Sequence, residues 1–242
     1  MSRLNPFPII KRLFAGKKPP VRNVYFIPGM CYNCKVVDKL ELPKGYLKRY
    51  IEWYIPQDGE TLQDYARLMS RAIDTSQPFD LVGYSFGAVV MQEMNRFLKP
   101  GKNIVISSFK SPDEIPALFH AVRKAQLVGK VPKRIFDSTD FITSAFNRLV
   151  YNADNDELSL YMTQTSPRYI KWAVQQITDW IPDIKCEHLY HIHGTEDQIF
   201  PFEKLHDVIP VEGGDHLMVI KKSETVRSII SSILLYQEET RP

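Results

Sequence analysis

Short apolar runs alternate with longer amphipathic segments along most of the chain, and this alternation restricts the fold more than any other feature of the sequence. The apolar runs at 23–27 and 80–84 are each followed by turn-forming residues, and the segment at 61–74 between them has apolar residues at helical spacing. This order is typical of β-α-β units, which build parallel sheets. The sequence therefore predicts an α/β fold, a mostly parallel sheet of about six strands flanked by helices.

The remaining elements follow the same pattern. Strands are expected at 23–27, 50–55, 80–84, 103–108, 188–194 and 207–214. Helices are expected at 61–74, 87–98 and 223–237. Thr61 and Asp64 resemble a capping box for the first of these helices, and Ser223 is the expected cap of the last.

About 80 residues separate the fourth and fifth predicted strands, far more than one crossover needs. Three helices are expected there, one capped by Ser111-Pro112, one over 138–150 and one opened by Ser166-Pro167. The third is the expected crossover helix. The first two are expected to form a small helical lid, inserted after the fourth strand at about 109–165.

The first 22 residues differ in composition from the rest of the chain. They hold six Lys or Arg and no Asp or Glu, whereas the 242-residue chain has a net charge of only +3. Their apolar run is too short for a membrane span and lacks the features of a secretory signal. We interpret 1–22 as a basic arm packed on a single domain at 23–242. The alternative is a weak interfacial helix touching a membrane, with Phe7, Ile10 and Phe14 on one face.

The three cysteines, Cys31, Cys34 and Cys186, form no even disulfide framework, which favours free thiols in a cytoplasmic protein. Cys31 and Cys34 make a C-x-x-C pair after the first predicted strand, so a thioredoxin-type redox role is an alternative. The small net charge gives no indication of a nucleic-acid partner.

A serine flanked by glycines marks the junction between the third predicted strand and the next helix. Gly83, Ser85 and Gly87 form G-x-S-x-G in the strand-to-helix context that makes this motif informative. A sharp turn there lifts the serine hydroxyl out of the sheet beside a helix N-terminus, where the N–H of Phe86 can stabilise an oxyanion. The simpler alternative is a small-residue turn with a buried serine.

A base and an acid for this serine follow the last two predicted strands. Asp197 lies just after the fifth strand and His216 just after the sixth, so both share the carboxyl edge of the sheet with Ser85. Asp215 is the nearest rival for the acid. Glu196 and Asp113 are weaker rivals.

Taken with their strand context, "GYSFGA", "HGTEDQIFP" and "GGDHLMV" resemble the α/β-hydrolase superfamily, from about residue 23 to the end apart from the inserted helices. The resemblance implies that Ser85 is the nucleophile, His216 the base and Asp197 the acid that orients the base. It also implies a second oxyanion donor after the first strand, here the N–H of Met30. The sequence departs from the superfamily in two places, with Pro28-Gly29 where His-Gly is frequent and Asp215 where a glycine usually precedes the histidine.

The function expected from this resemblance is hydrolysis of an ester or thioester with a small apolar acyl group, through an acyl-enzyme on Ser85. A carbon–carbon bond hydrolase of the same fold is the alternative, and a non-catalytic ligand-binding module is a lesser one. A small-molecule substrate is the expected partner.

Candidates for the substrate pocket are Cys31 and three phenylalanines of the predicted lid, Phe119, Phe141 and Phe146. Each of them could instead pack the lid on the sheet. No cofactor is expected. His191 and His193 share a strand face, but no further ligand at suitable spacing joins them, so no metal is expected either.

Overall fold

The computed structural model describes residues 21–124, 160–163 and 166–236, and within them six parallel strands form one sheet in the order β2-β1-β3-β4-β5-β6. The strands are β1 Arg22–Ile27, β2 Tyr46–Tyr50, β3 Phe79–Tyr84, β4 Asn103–Ile106, β5 Leu189–Gly194 and β6 Val208–Val211. Every pair of neighbours is parallel. This confirms the predicted α/β class.

The described helices connect and cover these strands. They are α1 Leu62–Ser70, α2 Phe86–Met94, α3 Ala117–Lys124, α4 Pro167–Asp179, α5 Met218–Lys221 and α6 Ser223–Leu235. The Thr61 side chain accepts a hydrogen bond from the Asp64 N–H at 3.1 Å, and Ser166 caps α4 through the Tyr169 N–H at 3.2 Å. Ser223 is the first residue of α6 rather than its cap, because Lys222 holds the N-cap position and makes no side-chain cap bond.

The second strand lies earlier than the sequence pattern predicts. β2 ends at Tyr50, and its register pairs Arg22 with Tyr46 and Phe26 with Tyr50. The predicted strand at 50–55 is therefore wrong. Its apolar residues Ile51 and Trp53 are buried because the loop after β2 folds over the carboxyl edge of the sheet. An edge strand with exposed residues carries no strong apolar pattern, so the pattern marked the loop instead.

Both faces of the central sheet are covered. Alternate residues of β3 point to opposite sides, with Leu81 in the cluster packed on α1, α2 and α4 and Val82 in the cluster packed on α5 and α6. All six residues of β3 are buried, as expected for a parallel strand between two helical layers.

The region predicted as a lid begins differently from expectation. Ser111 precedes a short 3₁₀ turn at Pro112–Glu114, and the helix α3 starts only at Ala117. Pro116 explains the interruption, since the residue before a proline is held extended, and Ile115 has φ −61° and ψ 127°. The predicted helix over 138–150 lies outside the described residues.

A short stretch at 160–163 crosses the loop that follows β1. The Thr163 N–H donates to the Cys31 carbonyl at 3.0 Å, the Asn33 N–H donates to the Tyr161 carbonyl at 2.7 Å, and Tyr32 and Met162 form an antiparallel bridge. This part of the inserted region therefore packs directly against the loop at the carboxyl end of β1.

Only the last two residues of the predicted amino-terminal arm, 21 and 22, are among the described residues. Residues 1–20 lie outside the described ones, and Arg22, which was assigned to the arm, is the first residue of β1. In the described part of the chain, none of the helices has both the length and the apolar character needed to cross a membrane.

Candidate active site

Ser85 lies in a sharp turn between β3 and α2. Its backbone has φ 53° and ψ −122°, a region that residues other than glycine rarely occupy. The turn requires small neighbours: a Cβ added at Gly87 would lie 2.3 Å from the carbonyl oxygens of Ile27 and Pro28, and one at Gly83 would lie 2.4 Å from the Ala88 Cα. The two glycines let the turn approach β1 and α2 closely, so that the serine hydroxyl is presented at the carboxyl edge of the sheet.

The structure brings Ser85, His216 and Asp197 together at this edge. The His216 Nε2 atom lies 3.0 Å from the Ser85 Oγ, and the His216 Nδ1 atom lies 2.8 Å from the Asp197 Oδ2. A carboxylate can only accept, so Nδ1 carries the proton and Nε2 offers its lone pair to the serine hydroxyl. Asp197 and His216 are buried and Ser85 is half-buried.

Asp197 is held by backbone donors on the side away from His216. Its Oδ1 accepts hydrogen bonds from the N–H groups of Ile199 at 2.9 Å and Phe200 at 3.1 Å. Burial raises the pKa of the Asp197 carboxyl, but the neighbouring His216, the hydrogen bond to it and His193 outweigh burial and hold that pKa below its usual value. The carboxylate is therefore ionised at neutral pH.

The acid and the base meet because the loops after β5 and β6 pack closely. A Cβ added at Gly194 would lie 2.1 Å from the Gly214 carbonyl oxygen, and the Glu196 N–H donates to that oxygen at 2.9 Å. The Tyr84 hydroxyl, at the end of β3, donates to the His216 carbonyl at 2.9 Å. These contacts fix the histidine backbone between the acid and the serine turn.

The rival carboxylates have other partners. Asp215 accepts from the Leu217 N–H at 2.9 Å and pairs with Lys221. Asp113 lies 2.9 Å from the His206 Nε2, and Glu196 is exposed. Of the four candidates, Asp197 is the one bonded to His216.

The two backbone donors suggested for an oxyanion belong to Phe86, which directly follows Ser85, and Met30, which follows Gly29; a Cβ added at Gly29 would lie 3.4 Å from the Ser85 Cβ. Phe86 is the first residue of α2, so its N–H has no acceptor within the helix. Met30 is buried in the loop after β1, where the Tyr32 N–H donates to the Gly29 carbonyl at 3.1 Å.

Trp53 supports this loop and was not recognised as a site residue from the sequence. Its indole N–H donates to the Gly29 carbonyl at 2.9 Å, and its ring stacks on Phe86 with centroids 5.4 Å apart. The side chain thus joins both candidate donor segments. The sequence offers one signal for this role, a tryptophan inside the apolar run at 50–55. The pattern predicts a strand for this run, so it does not single out Trp53 as a site residue.

His193 lies behind the acid. Its Nε2 is 2.9 Å from the Phe200 carbonyl oxygen and 3.4 Å from the Asp197 Oδ2. The Phe200 ring in turn lies 5.6 Å from the His216 ring. His193 therefore contacts the loop that carries Asp197.

Cys31 and Cys34 are free and buried. Burial raises the pKa of the Cys31 thiol to about 12, and burial together with Glu52 raises that of Cys34. Both thiols are therefore protonated at neutral pH, which disfavours thiolate chemistry at this C-x-x-C pair.

Of the four pocket candidates, two lie among the described residues. Cys31 is part of the buried loop after β1 and has φ 68°. Phe119 is half-buried and packs edge-on against Phe109 and Phe200, with centroid distances of 6.3 and 5.9 Å. Phe141 and Phe146 lie outside the described residues.

Within the described ranges, no three His, Cys, Asp or Glu side chains are grouped as metal ligands would be. The His191 and His193 rings lie 5.3 Å apart, and both are buried.

The fold is shared with solved structures of low sequence identity. No protein-family model matches the sequence, and neither does any curated protein sequence. An esterase from Thermogutta terrifontis superimposes with a TM-score of 0.67 at 16% identity, covering 90% of each chain. MGS-M2, an α/β-hydrolase enzyme from a Medee basin deep-sea metagenome library, gives 0.66 at 11% identity, covering 94% of each chain.

A carboxylesterase structure from the ammonia-oxidizing thaumarchaeon Nitrososphaera gargenis gives a TM-score of 0.64 at 16% identity, covering 90% of this chain and 92% of the other. Together with the parallel sheet and its covering helices, these similarities show that the chain has the α/β-hydrolase fold.

Proposed function

We propose that this protein is a serine hydrolase that cleaves an ester or thioester with a small apolar acyl group through an acyl-enzyme on Ser85. The observation that carries the proposal is the continuous path of hydrogen bonds from the Ser85 Oγ through His216 to Asp197, at 3.0 and 2.8 Å. The esterases among the structural neighbours support the same class of reaction.

The proposed reaction begins with proton transfer from the Ser85 hydroxyl to the His216 Nε2 as the serine oxygen attacks the acyl carbon. The carbonyl oxygen becomes an oxyanion, which the N–H groups of Phe86 and Met30 stabilise. Asp197 stabilises the imidazolium through its bond to Nδ1. The intermediate then collapses, the carbon–oxygen or carbon–sulfur bond to the leaving group breaks, and the leaving group takes the proton from His216.

A water molecule completes the proposed cycle. His216 takes a proton from the water as its oxygen attacks the acyl carbon bound to Ser85. The second intermediate collapses, the acid is released, and the proton on His216 returns to the Ser85 oxygen. The apolar packing of Phe119 near Phe200 supports an apolar surface beside the base.

Replacing Ser85 with alanine tests the proposal. We expect Ser85→Ala to lose at least about 10⁴-fold of kcat on nitrophenyl esters and to lose labelling by a fluorophosphonate probe. Ser70→Ala, which removes an exposed hydroxyl bonded to the Arg67 carbonyl, is the control and should keep both. Hydrolysis by Ser85→Ala at the original rate would refute the assignment.

The same assays separate the alternatives. A wild-type protein that is not labelled would favour a ligand-binding module. A wild-type protein that is labelled, leaves esters intact and cleaves a vinylogous diketone would favour the carbon–carbon bond hydrolase.

A further inference from the structure

The Gly29 carbonyl oxygen, in the loop after β1, accepts two hydrogen bonds. The Trp53 indole N–H donates to it at 2.9 Å and the Tyr32 N–H at 3.1 Å. The first donor comes from the loop after β2, and the second comes from the same turn as Gly29. A carbonyl oxygen has two lone pairs, so both are in use and the direction of this carbonyl is fixed.

The Gly29 carbonyl and the Met30 N–H belong to the same peptide group. This group is planar, and in its trans form the carbonyl and the N–H point in opposite directions. Bonds that fix the direction of the Gly29 oxygen therefore also fix the direction of the Met30 hydrogen. They also polarise the peptide group, which strengthens its N–H as a donor.

The Met30 N–H is available to a ligand. Met30 is only 4% exposed, yet its N–H donates to no acceptor among the residues that the structure describes. Backbone N–H groups of buried residues seldom lack a partner, and each exception calls for an explanation such as a catalytic role. A Cβ added at Gly29 would lie 3.4 Å from the Ser85 Cβ. The peptide that carries this N–H therefore adjoins the serine turn.

Packing holds the Trp53 ring in place, so its N–H is a donor with a fixed position. The side chain is buried, and the ring centroid lies 5.4 Å from that of Phe86 and 5.8 Å from that of Tyr169. Another large aromatic side chain could fill much of the same space. What tryptophan adds is the indole N–H, and this group bonds the peptide that carries a proposed oxyanion donor.

We propose that Trp53 is a positioning residue for the Met30 oxyanion donor. Its indole N–H holds the Gly29–Met30 peptide so that the Met30 N–H stays directed at the oxygen that becomes negative when Ser85 attacks the acyl carbon. Trp53 acts through this peptide and need not touch the substrate. The inference rests on the proposed function for the reaction itself and deepens it by naming the side chain that controls one of the two donors.

Trp53→Phe and Trp172→Phe form a matched pair of variants. Each loses one indole hydrogen bond to a backbone carbonyl, at 2.9 Å to Gly29 for Trp53 and at 2.7 Å to Glu60 for Trp172. Both rings also contact Phe86, so both changes remove aromatic area from the same cluster.

The two variants should differ in turnover. We expect Trp53→Phe to lose about tenfold of kcat on nitrophenyl esters with KM within about twofold of the wild type, because the oxygen is negative in the transition state and not in the bound ester. Trp172→Phe should keep kcat within about twofold of the wild type. Equal losses of kcat in the two variants would mean that aromatic packing explains the effect, and the inference would be wrong.

Partial unfolding must be separated from slow chemistry. Titration to completion with a fluorophosphonate probe counts the reactive serines, so kcat is expressed per folded site. Replacing Trp53 with benzothienylalanine gives a second variant, in which sulfur takes the place of the indole N–H while both fused rings stay. This variant should lose as much of kcat as Trp53→Phe does. Full activity with benzothienylalanine would show that the hydrogen bond has no part in catalysis.

An inhibitor that forms an oxyanion gives a readout that a purely structural role would not change. In the reaction with an alkyl trifluoromethyl ketone, the Ser85 oxygen bonds to the ketone carbon, the serine proton passes to His216, and the carbonyl electron pair becomes a negative oxygen. We expect the inhibition constant of the ketone to rise about tenfold in Trp53→Phe, in parallel with the loss of kcat/KM. The corresponding trifluoromethyl alcohol forms no oxyanion, so its inhibition constant should not change. Equal weakening of both inhibitors would indicate damaged packing and contradict the inference.

The wild-type protein separates this inference from the proposed function. If the wild type hydrolyses esters and binds the ketone, and Trp53→Phe equals it in both, the positioning role is refuted and the serine hydrolase stands. If the wild type neither hydrolyses esters nor is inhibited by the ketone, the proposed function fails and this inference fails with it.

Discussion

At the scale of single residues, the site depends on a serine held in an unfavourable backbone conformation. Such conformations cost on the order of 1–3 kcal/mol and persist only where the surroundings enforce them. Here the Ser85 N–H donates to the Ile106 carbonyl at 2.8 Å, and the helix α2 begins at the next residue. The hydrogen bond and the start of the helix together hold the turn that exposes the hydroxyl.

Gly87 is the residue whose replacement should disturb this turn most. A Cβ at this position meets two backbone carbonyls, which cannot move aside as a flexible side chain can. We expect Gly87→Ala to lower the free energy of unfolding by more than about 3 kcal/mol, the range of severe steric changes, and to lower kcat in any folded fraction.

Gly45→Ala is the matched control for that change. Gly45 has φ 94° with open space around its Cβ position, so alanine should cost only about 1 kcal/mol and leave ester hydrolysis unchanged. Urea unfolding and initial rates measure both variants. Similar losses of stability for the two variants would show that the close approach at Gly87 is not what constrains the turn.

The tautomer of His216 gives a second prediction at this scale. In Asp197→Asn the side-chain oxygen stays with the N–H groups of Ile199 and Phe200, so the amide NH₂ faces the His216 Nδ1. That nitrogen must then accept, and the proton moves to Nε2, where it blocks the lone pair needed by Ser85. We expect kcat to fall by about 10³- to 10⁴-fold with KM little changed.

Asp215→Asn discriminates between the two candidate acids. Asp215 accepts from the Leu217 N–H, and an asparagine oxygen can do the same. Its kcat should stay within about twofold of the wild type, because the Asp215 side chain bonds the Leu217 N–H and Lys221 rather than a group proposed for the chemistry. If Asp215→Asn lost activity and Asp197→Asn kept it, the assignment of the acid would have to be reversed.

At the scale of elements, the sheet is fixed at its amino edge by an ion pair as well as by its ladders. Arg22 in β1 binds Asp80 in β3 through two bonds, Nε to Oδ2 at 2.5 Å and a terminal nitrogen to Oδ1 at 2.7 Å. The Asp80 side chain is fully buried, whereas that of Arg22 is 32% exposed. The first residue of β1 is therefore part of the sheet's structure rather than of a separate arm.

Removing the cation should leave a buried carboxylate without its partner. We expect Arg22→Met to lower the free energy of unfolding by about 2–3 kcal/mol, less than for a fully buried pair because solvent reaches the arginine. Arg49→Met, which loses one hydrogen bond from exposed β2 to Asn23, should cost less than about 1 kcal/mol. Denaturant titrations compare the two, and equal costs would mean that the pair contributes no more than a surface contact.

At the scale of the whole molecule, two buried histidines link stability to pH. Burial lowers the pKa of His191 well below its usual value, helped by His193 and Lys110 and opposed by Asp197 and the Ser108 backbone. Burial also lowers the pKa of His193. Both imidazoles stay neutral in the folded protein, whereas the unfolded chain takes up protons below about pH 6.5. Folding is therefore favoured above that pH and loses this contribution as the pH falls towards the lowered folded values.

The free energy of unfolding should therefore fall between pH 7 and pH 5 by up to about 1.4 kcal/mol per pH unit for each histidine. In His191→Leu the slope should be smaller by one such contribution. Ile192→Val, which removes one buried methyl group from the same strand and no titratable group, is the control and should keep the wild-type slope. Urea unfolding at several pH values measures the slopes, and an unchanged slope in His191→Leu would contradict the assignment.

The sequence by itself determined the class of fold, the order of most of its elements and the residues proposed for the candidate site. Some features are local: the strand and helix periodicity, the Thr61 and Ser166 caps and the glycines around Ser85. They depend on the sterics and hydrogen bonding of residues that are close together in the sequence. Parallel strands share one carboxyl edge, and Ser85, Asp197 and His216 each follow a strand. The sequence therefore also predicts that these three residues lie at the same edge of the sheet.

Only the tertiary structure decided which acid meets the histidine, where the second strand ends and that Trp53 supports the loop beside the serine. Asp215 adjoins His216 in the chain and Asp197 lies 19 residues before it, yet the close approach of Gly194 to Gly214 brings Asp197 to the His216 Nδ1 atom. Likewise, the burial of Ile51 and Trp53 comes from loop packing over the sheet edge. Such contacts join residues far apart in sequence, so no local pattern encodes them.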